Sequence, residues 1–334
     1  MPVRVCADLP TLDAPWDAAA TACEEVLVRP PSGTGHWWVQ VEKRGLGTGQ
    51  ARQAVGRAAG VDVEFVGCAG HRDRHARSTQ WFSVSVERCE HPGPLRRAGA
   101  HGRMKVLQVV SGSRSVGPWA VARLRWRLRL KGAGGAYLAA RALAERLRLK
   151  GLPNRIGRID GDLARWGDLL LAGKRLPESV AGRRPDPRRL LLAAQGDRFN
   201  RWLDARIADG LIDQVIAGDR IDADGLHTAD DPATWALRVA AWSATVCGPL
   251  VGDGCQPAAG AAGEREAALW ADLDPRALRS IAGGVRPCRI HPGRLGIDPD
   301  GKDLLVSADL PAEVFPDAIL YEMTGVLPGA DGEE

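Results

Sequence analysis

Two histidines, three arginines and one aspartate crowd into His71-Arg72-Asp73-Arg74-His75-Ala76-Arg77, and Ser78-Thr79-Gln80-Trp81 follows directly. Cationic neighbours favour the charged form of an acid. The same side chains are suited to receiving phosphate oxygens. A single carboxylate in such a setting fits chemistry on a nucleic acid or a nucleotide. Two other readings fail on spacing. His71 and His75 stand four apart, as in the H-E-x-x-H zinc helix, but the glutamate is missing and the context is strand and loop. His71-Arg72-Asp73 has the order of a kinase catalytic loop, yet no asparagine lies five residues beyond Asp73 and no glycine-rich nucleotide loop precedes it. No metal site is expected.

Such a cluster needs a rigid frame. His36 to Lys43 has the β-branched and aromatic content of a strand. Gly49 to Gly60 reads as a short helix with alanines and Val55 on one face. Asp62 to Val66 reads as a strand leading in, and Gln80 to Val86 as a strand leading out. The charged stretch is therefore expected as a loop between two strands, where a scaffold presents an accessible tip. Residues 122–130, ARLRWRLRL, alternate strictly. Arg123, Arg125, Arg127 and Arg129 share one face and the apolar residues the other. Like charges on one strand face repel unless something neutralises them. The stripe is thus either a contact for an RNA backbone or a solvated face paired with acids.

Further along, Tyr137 to Lys150 is a helix stopped by Gly151, and Leu152-Pro153-Asn154-Arg155-Ile156-Gly157 is a constrained loop. From about 175 to 290 the character changes. An amphipathic helix spans Arg188 to Ala208, Gly- and Pro-rich pieces follow, and another helix covers Glu264 to Leu273. Residues 303–309 form a last strand, and a helix lies near Pro316 to Thr324.

A chain of 334 residues is long enough for two domains with cores of their own. The net charge of +4 hides a strong asymmetry. Residues 91–150 hold fourteen Lys/Arg against one acid, Glu145, whereas residues 296–334 hold ten acids against one lysine. The basic region is the electrostatic footprint expected for a phosphate backbone. Seven scattered cysteines without a CxxC pair argue against a disulfide framework or a zinc ribbon. No segment approaches the roughly 18 apolar residues of a membrane helix. The N-terminal MPVRVCADLP lacks a hydrophobic signal region. A cytoplasmic protein with no membrane partner is expected.

Ala69-Gly70-His71-Arg72-Asp73-Arg74-His75-Ala76-Arg77-Ser78-Thr79-Gln80-Trp81 resembles a family signature, Ala-Gly-x-Lys-Asp-x-His-Ala-x-Thr-x-Gln-Trp. The family is TruD, the D-type tRNA pseudouridine synthases. Arg72 replaces its lysine and Ser78 its first threonine. Glu24 to Val28, Leu152-Pro153-Asn154 with Gly157, Leu192-Ala193-Ala194 with Phe199-Asn200, and Leu310-Pro311-Ala312 with Glu322 resemble further family segments in the same order. The likeness spans essentially the whole chain.

The resemblance implies an α/β (α+β) fold. A pseudouridine-synthase catalytic domain with a mixed, largely antiparallel sheet would be made from residues 1–174 and 291–334. An inserted TRUD-type α+β domain would occupy 175–290. The implied reaction is isomerisation of uridine to pseudouridine in RNA, with tRNA the expected partner and no cofactor. Asp73 would be the catalytic carboxylate, either adding to the ribose or removing a C2′ proton.

Around it, Arg72, Arg74 and His75 are expected to bind phosphate, with bracing of the loop as the other role open to His75. Asn154 is expected at the uracil or the carboxylate, and Gln80 as loop support. Ile156 stands where the family has the aromatic that stacks on the flipped base. Arg123, Arg125, Arg127 and Arg129 would meet the RNA backbone. Other departures are Ala20 for a lysine, Val121-Ala122 for Gly-Asn, and Ile159-Asp160-Gly161-Asp162 for Gln-Arg-Phe-Gly. They motivate two alternatives. One is a TruD-like synthase of a specialised C-nucleoside pathway, acting on a uridine nucleotide or on RNA. The other is a catalytically impaired RNA-binding protein.

Overall fold

The computed structural model describes residues 2–15, 21–99, 102–157, 159–182, 185–312, 314 and 316–326, so Ala20 lies outside the described residues. The chain divides into two compact units. One comprises Leu12–Arg141 and Gly293–Glu313; the other comprises Met1–Thr11, Ala142–Pro292 and Val314–Glu334.

The first unit is built on an eight-stranded sheet. Its long strands are β1 (Ala22–Leu27), β2 (His36–Lys43), β3 (Arg77–Ser85), β4 (Met104–Gly112), β5 (Val121–Leu130), β6 (Gly293–Asp300) and β7 (Asp303–Leu310). They run in the order β6-β7-β5-β1-β3-β2-β4, and Gly67–Cys68 adds a short strand against β3. β1 and β3 pair in parallel and the other pairings are antiparallel. The sheet is therefore mixed and largely antiparallel, as expected.

Helix α1 (Thr48–Ala59) starts after Gly47, whose N–H donates to Gln50 Oε1 at 3.1 Å, and stops at Gly60 with φ 71°. Ala51, Ala54 and Val55 on its inner face pack with Val39 and Val41 of β2 and Phe82 and Val84 of β3. The strand expected at 62–66 is instead a single 3₁₀ turn, Val63–Phe65. Val63 and Phe65 point to solvent and only Val66 enters the core. The chain doubles back there against Gly56, where a Cβ would stand 2.9 Å from Val61 O.

In the second unit a four-stranded sheet runs Gly284–Pro287, Thr245–Leu250, Arg220–Asp222, Leu226–Thr228. Helix α2 (Tyr137–Lys150) carries the chain from the first unit into the second. Helix α3 (Gly161–Leu171) begins at Asp160, which accepts from the N–H groups of Asp162 and Leu163. Helix α4 (Pro187–Ala208) packs Phe199, Trp202, Leu203 and Ile207 against Ile221, Val246 and Cys288. Gly248 leaves room for the Trp202 indole, since a Cβ there would lie 2.4 Å from the ring.

Gly167 brings α3 flush against α4, where a Cβ would meet Leu190 O at 2.0 Å. This close crossing groups residues 142–174 with those that follow. Compactness thus divides the chain before α3, whereas the insertion expected from the sequence begins at 175. All seven cysteines are unpaired, and six are buried. Among the described residues no helix is long and apolar enough to cross a membrane.

Candidate active site

Residues 69–76 lie on one face of the first unit's sheet, and the strand registers say which face. Cys23 of β1 pairs with Ser78 of β3, and Ser78 pairs with Lys43 of β2. Residues opposite one another in a sheet share a face. Cys23, Glu25, Lys43, Ser78 and Gln80 therefore point the same way, and four of them reach the loop directly.

Gln80 is fully buried beneath the loop. Its Nε2 donates to Gly70 O at 2.8 Å, and its Oε1 accepts from Thr48 Oγ1 at 3.1 Å. Thr48 Oγ1 in turn accepts the Arg72 N–H at 2.9 Å. The α1 start, β3 and the loop are joined in one chain of hydrogen bonds. Gly70 takes φ 113°, which a side chain would oppose.

Arg72 turns inward rather than out towards a phosphate. Its Nε donates to Glu25 Oε1 at 2.9 Å, and the two side chains are 5% and 0% exposed. The other Glu25 oxygen accepts the Trp81 N–H at 2.8 Å. Burial pushes the Glu25 carboxyl above the usual carboxylate range, and the Arg72 charge opposes that shift. The expected phosphate contact at Arg72 is thus replaced by an internal ion pair, because the flank of the loop sits on the sheet.

Asp73 is exposed at the tip. Its Oδ1 accepts the His75 N–H at 2.7 Å, a turn that fixes the direction of the carboxylate. It forms no ion pair among the described residues. Arg74 and His75 are exposed beside it. Beneath it, Lys43 Nζ donates to Asp73 O at 3.2 Å, Arg72 O at 3.4 Å and Leu46 O at 2.9 Å. Burial lowers the Lys43 ammonium to about 8, against the pull of Asp73 and Glu25. Burial also pushes the neighbouring Cys23 thiol up to about 12, so this sulfur stays protonated and is no nucleophile.

Sequence reasoning missed Glu25, Lys43 and Thr48. A signal existed for two of them. Lys43 continues the inward series Val39, Val41, and Glu25 follows Cys23 on the inward side of β1. A charge on the buried side of a strand requires a partner.

The arginines of β5 stand on the opposite face. Arg125 pairs in register with Glu24 and Asp309, and Glu24 with Thr79. The sheet itself therefore separates the stripe from the loop that carries Asp73. Two of the four are neutralised. Arg125 donates to Asp309 at 3.0 Å, and Arg129 contacts Asp300 at 2.5 Å and Asp303 at 3.1 Å. Arg123 and Arg127 have no ion pair among the described residues.

Asn154 and Ile156 belong to the second unit. The Asn154 amide is occupied: Nδ2 donates to Pro287 O at 3.0 Å, and Oδ1 accepts from Arg286 at 2.5 Å. Ile156 is half-buried, with its backbone read in both directions by the Asn200 amide at 3.0 and 2.8 Å. Its side chain packs towards Gly196 of α4, where a Cβ would stand 3.1 Å from it.

Comparison with known proteins follows the same lines. The family model of tRNA pseudouridine synthase D (TruD) matches residues 21–158. A tRNA pseudouridine synthase D from Anaeromyxobacter dehalogenans is 35% identical over 318 residues, covering 90% of this chain and 89% of that protein. One from Pseudomonas syringae pv. tomato is 33% identical over 323 residues, covering 91% and 89%. The crystal structure of a putative tRNA pseudouridine synthase D from Methanosarcina mazei superposes with a TM-score of 0.76. That match has 15% identity and covers 98% of this chain and 97% of the other, a likeness of fold.

Proposed function

The chain belongs to the TruD family of tRNA pseudouridine synthases, and from this we infer that it isomerises uridine to pseudouridine in tRNA with Asp73 as the catalytic carboxylate. The state of Asp73 carries the assignment. It is an exposed acid at the tip of a braced loop, with one oxygen held by its own turn and, among the described residues, no ion pair to its carboxylate.

The reaction breaks the N1–C1′ bond and joins C5 to C1′. The proton on C5 leaves and N1 takes one up. Substrate and product are isomers, so no redox equivalent is required. Asp73 acts at the ribose. The target base must leave its stack at a cost of a few kcal/mol, and Arg74 and His75, exposed beside Asp73, would meet its phosphate. Within the second unit Ile156 packs towards Gly196, and Asn154 braces the loop it belongs to. Residues 1–174 with 291–334 form the synthase module and 175–290 the inserted one. The enzyme works on tRNA in the cytoplasm.

Release of tritium from tRNA carrying 5-³H-uridine tests this reading. The wild-type protein releases label from tRNA and not from labelled UMP. Asp73→Asn abolishes release while tRNA affinity stays within about threefold, because the carboxylate acts on the transition state. A fully active Asp73→Asn protein would falsify the assignment.

A further inference from the structure

We propose that Lys43 is a positioning residue for Asp73, holding the catalytic loop from below through the main-chain carbonyls on either side of the Arg72–Asp73 junction. The inference rests on the assignment of Asp73 above and adds to it a group outside the loop.

Lysine is almost never fully buried without a partner. Lys43 is 1% exposed and is among the largest fully buried side chains. Its partner is not a carboxylate. The three N–H bonds of the ammonium go to three backbone carbonyls, those of Leu46, Arg72 and Asp73. Three donors on three fixed acceptors define one geometry. Leu46 lies in the turn before α1, whose Thr48 already holds the Arg72 N–H. The end of β2, that turn and the loop thus meet at a single charged atom. Methionine would fill the same volume without desolvating a charge, so packing alone does not account for a lysine here.

Titration follows from the same geometry. A neutral amine keeps two donors and turns a lone pair towards the third carbonyl, so one contact becomes repulsive. The charged groups that face Lys43 are Glu25 of β1 and Arg72 and Asp73 of the loop, with the Cys23 thiol beside them. Burial dominates and lowers the ammonium from about 10.5 to about 8. Between these values the unfolded chain holds a proton that the folded chain lacks, so this group adds stability as pH rises. An alkaline loss of activity from Lys43 is therefore not an unfolding event.

The experiment measures kcat and KM for tritium release from labelled tRNA between pH 6 and 9, with melting temperatures alongside. In the wild-type protein kcat falls with a midpoint near 8, and the melting temperature does not fall with it. Lys43→Met lowers kcat about a hundredfold at pH 7, the scale of a 1 Å misplacement. Its KM stays within about threefold, and it loses the limb near 8. Lys43→Arg, which stays charged throughout, recovers part of kcat and also lacks that limb.

A Lys43→Met protein with wild-type kcat, or with the wild-type pH profile, overturns the proposal. So does a flat wild-type profile, which decides the matter even if the variants fail to fold. A wild-type protein that releases no tritium sinks the functional assignment instead.

Discussion

At the scale of single residues, the site depends on two buried charges that the sequence does not advertise as a pair. Glu25 and Arg72 lie forty-seven positions apart and meet only because β1 and β3 are neighbours. Breaking a buried pair leaves the surviving charge without compensation, at a cost of about 3–5 kcal/mol. Glu25→Gln is accordingly expected to lower the free energy of unfolding by about 3 kcal/mol in a urea titration. Arg72→Lys keeps the charge and loses the fork, for about 1 kcal/mol. Equal stability of Glu25→Gln and wild type would mean that the pair does not hold the loop. The Arg72 substitution that sets this chain apart from the family signature thus has a structural account: a two-pronged side chain finds a carboxylate facing it.

Among the elements, β5 shows how one pattern supports two readings until its neighbours are known. The alternation of ARLRWRLRL correctly places four arginines on one face. Which partner that face meets depends on the flanking strands. β7 supplies Asp309 and Asp303, the β6 end supplies Asp300, and β1 supplies Glu24. Half of the stripe is therefore a ladder of partly exposed ion pairs, which solvent screens and which add little to stability. The face it occupies is turned away from Asp73. Substituting Arg123 and Arg127 together by alanine is expected to leave kcat for tritium release unchanged. It also leaves the salt dependence of tRNA binding unchanged, where two lost phosphate contacts would reduce the slope by about 2. A reduced slope would put RNA on that face as well.

For the molecule as a whole, the two chain ends close the second unit. Glu322 of the last helix accepts the N–H groups of Val5 and Cys6 at 3.1 and 3.0 Å, and Arg4 donates to Glu322 O at 2.6 Å. Burial raises the Glu322 carboxyl above its ordinary range, against the lowering effect of those two N–H donors. Glu322→Ala leaves both amides without an acceptor. It is expected to cost about 2 kcal/mol and to speed hydrogen exchange at Val5 and Cys6. Unchanged exchange at those amides would show that the carboxylate does not tie the ends. The acidic bias of the C-terminal stretch has one local use here and another in β6 and β7, where it neutralises the arginines of β5.

Much of this was legible in the residues themselves. The charged stretch around Asp73, the outward arginines of β5 and the helix over Tyr137 to Lys150 follow from residue type and short-range periodicity, which act over one turn or one pleat. The alternation of β2 even marked Lys43 as facing inward.

Strand neighbours, in contrast, are chosen by contacts far apart in the chain. Only the tertiary structure could turn Arg72 onto Glu25, set Lys43 beneath Asp73, close the Asn154 amide on Pro287 and Arg286, and put the arginine stripe behind the sheet. A sequence fixes which side of a strand a residue takes. What lies on that side is decided by the other strands and loops that fold against it.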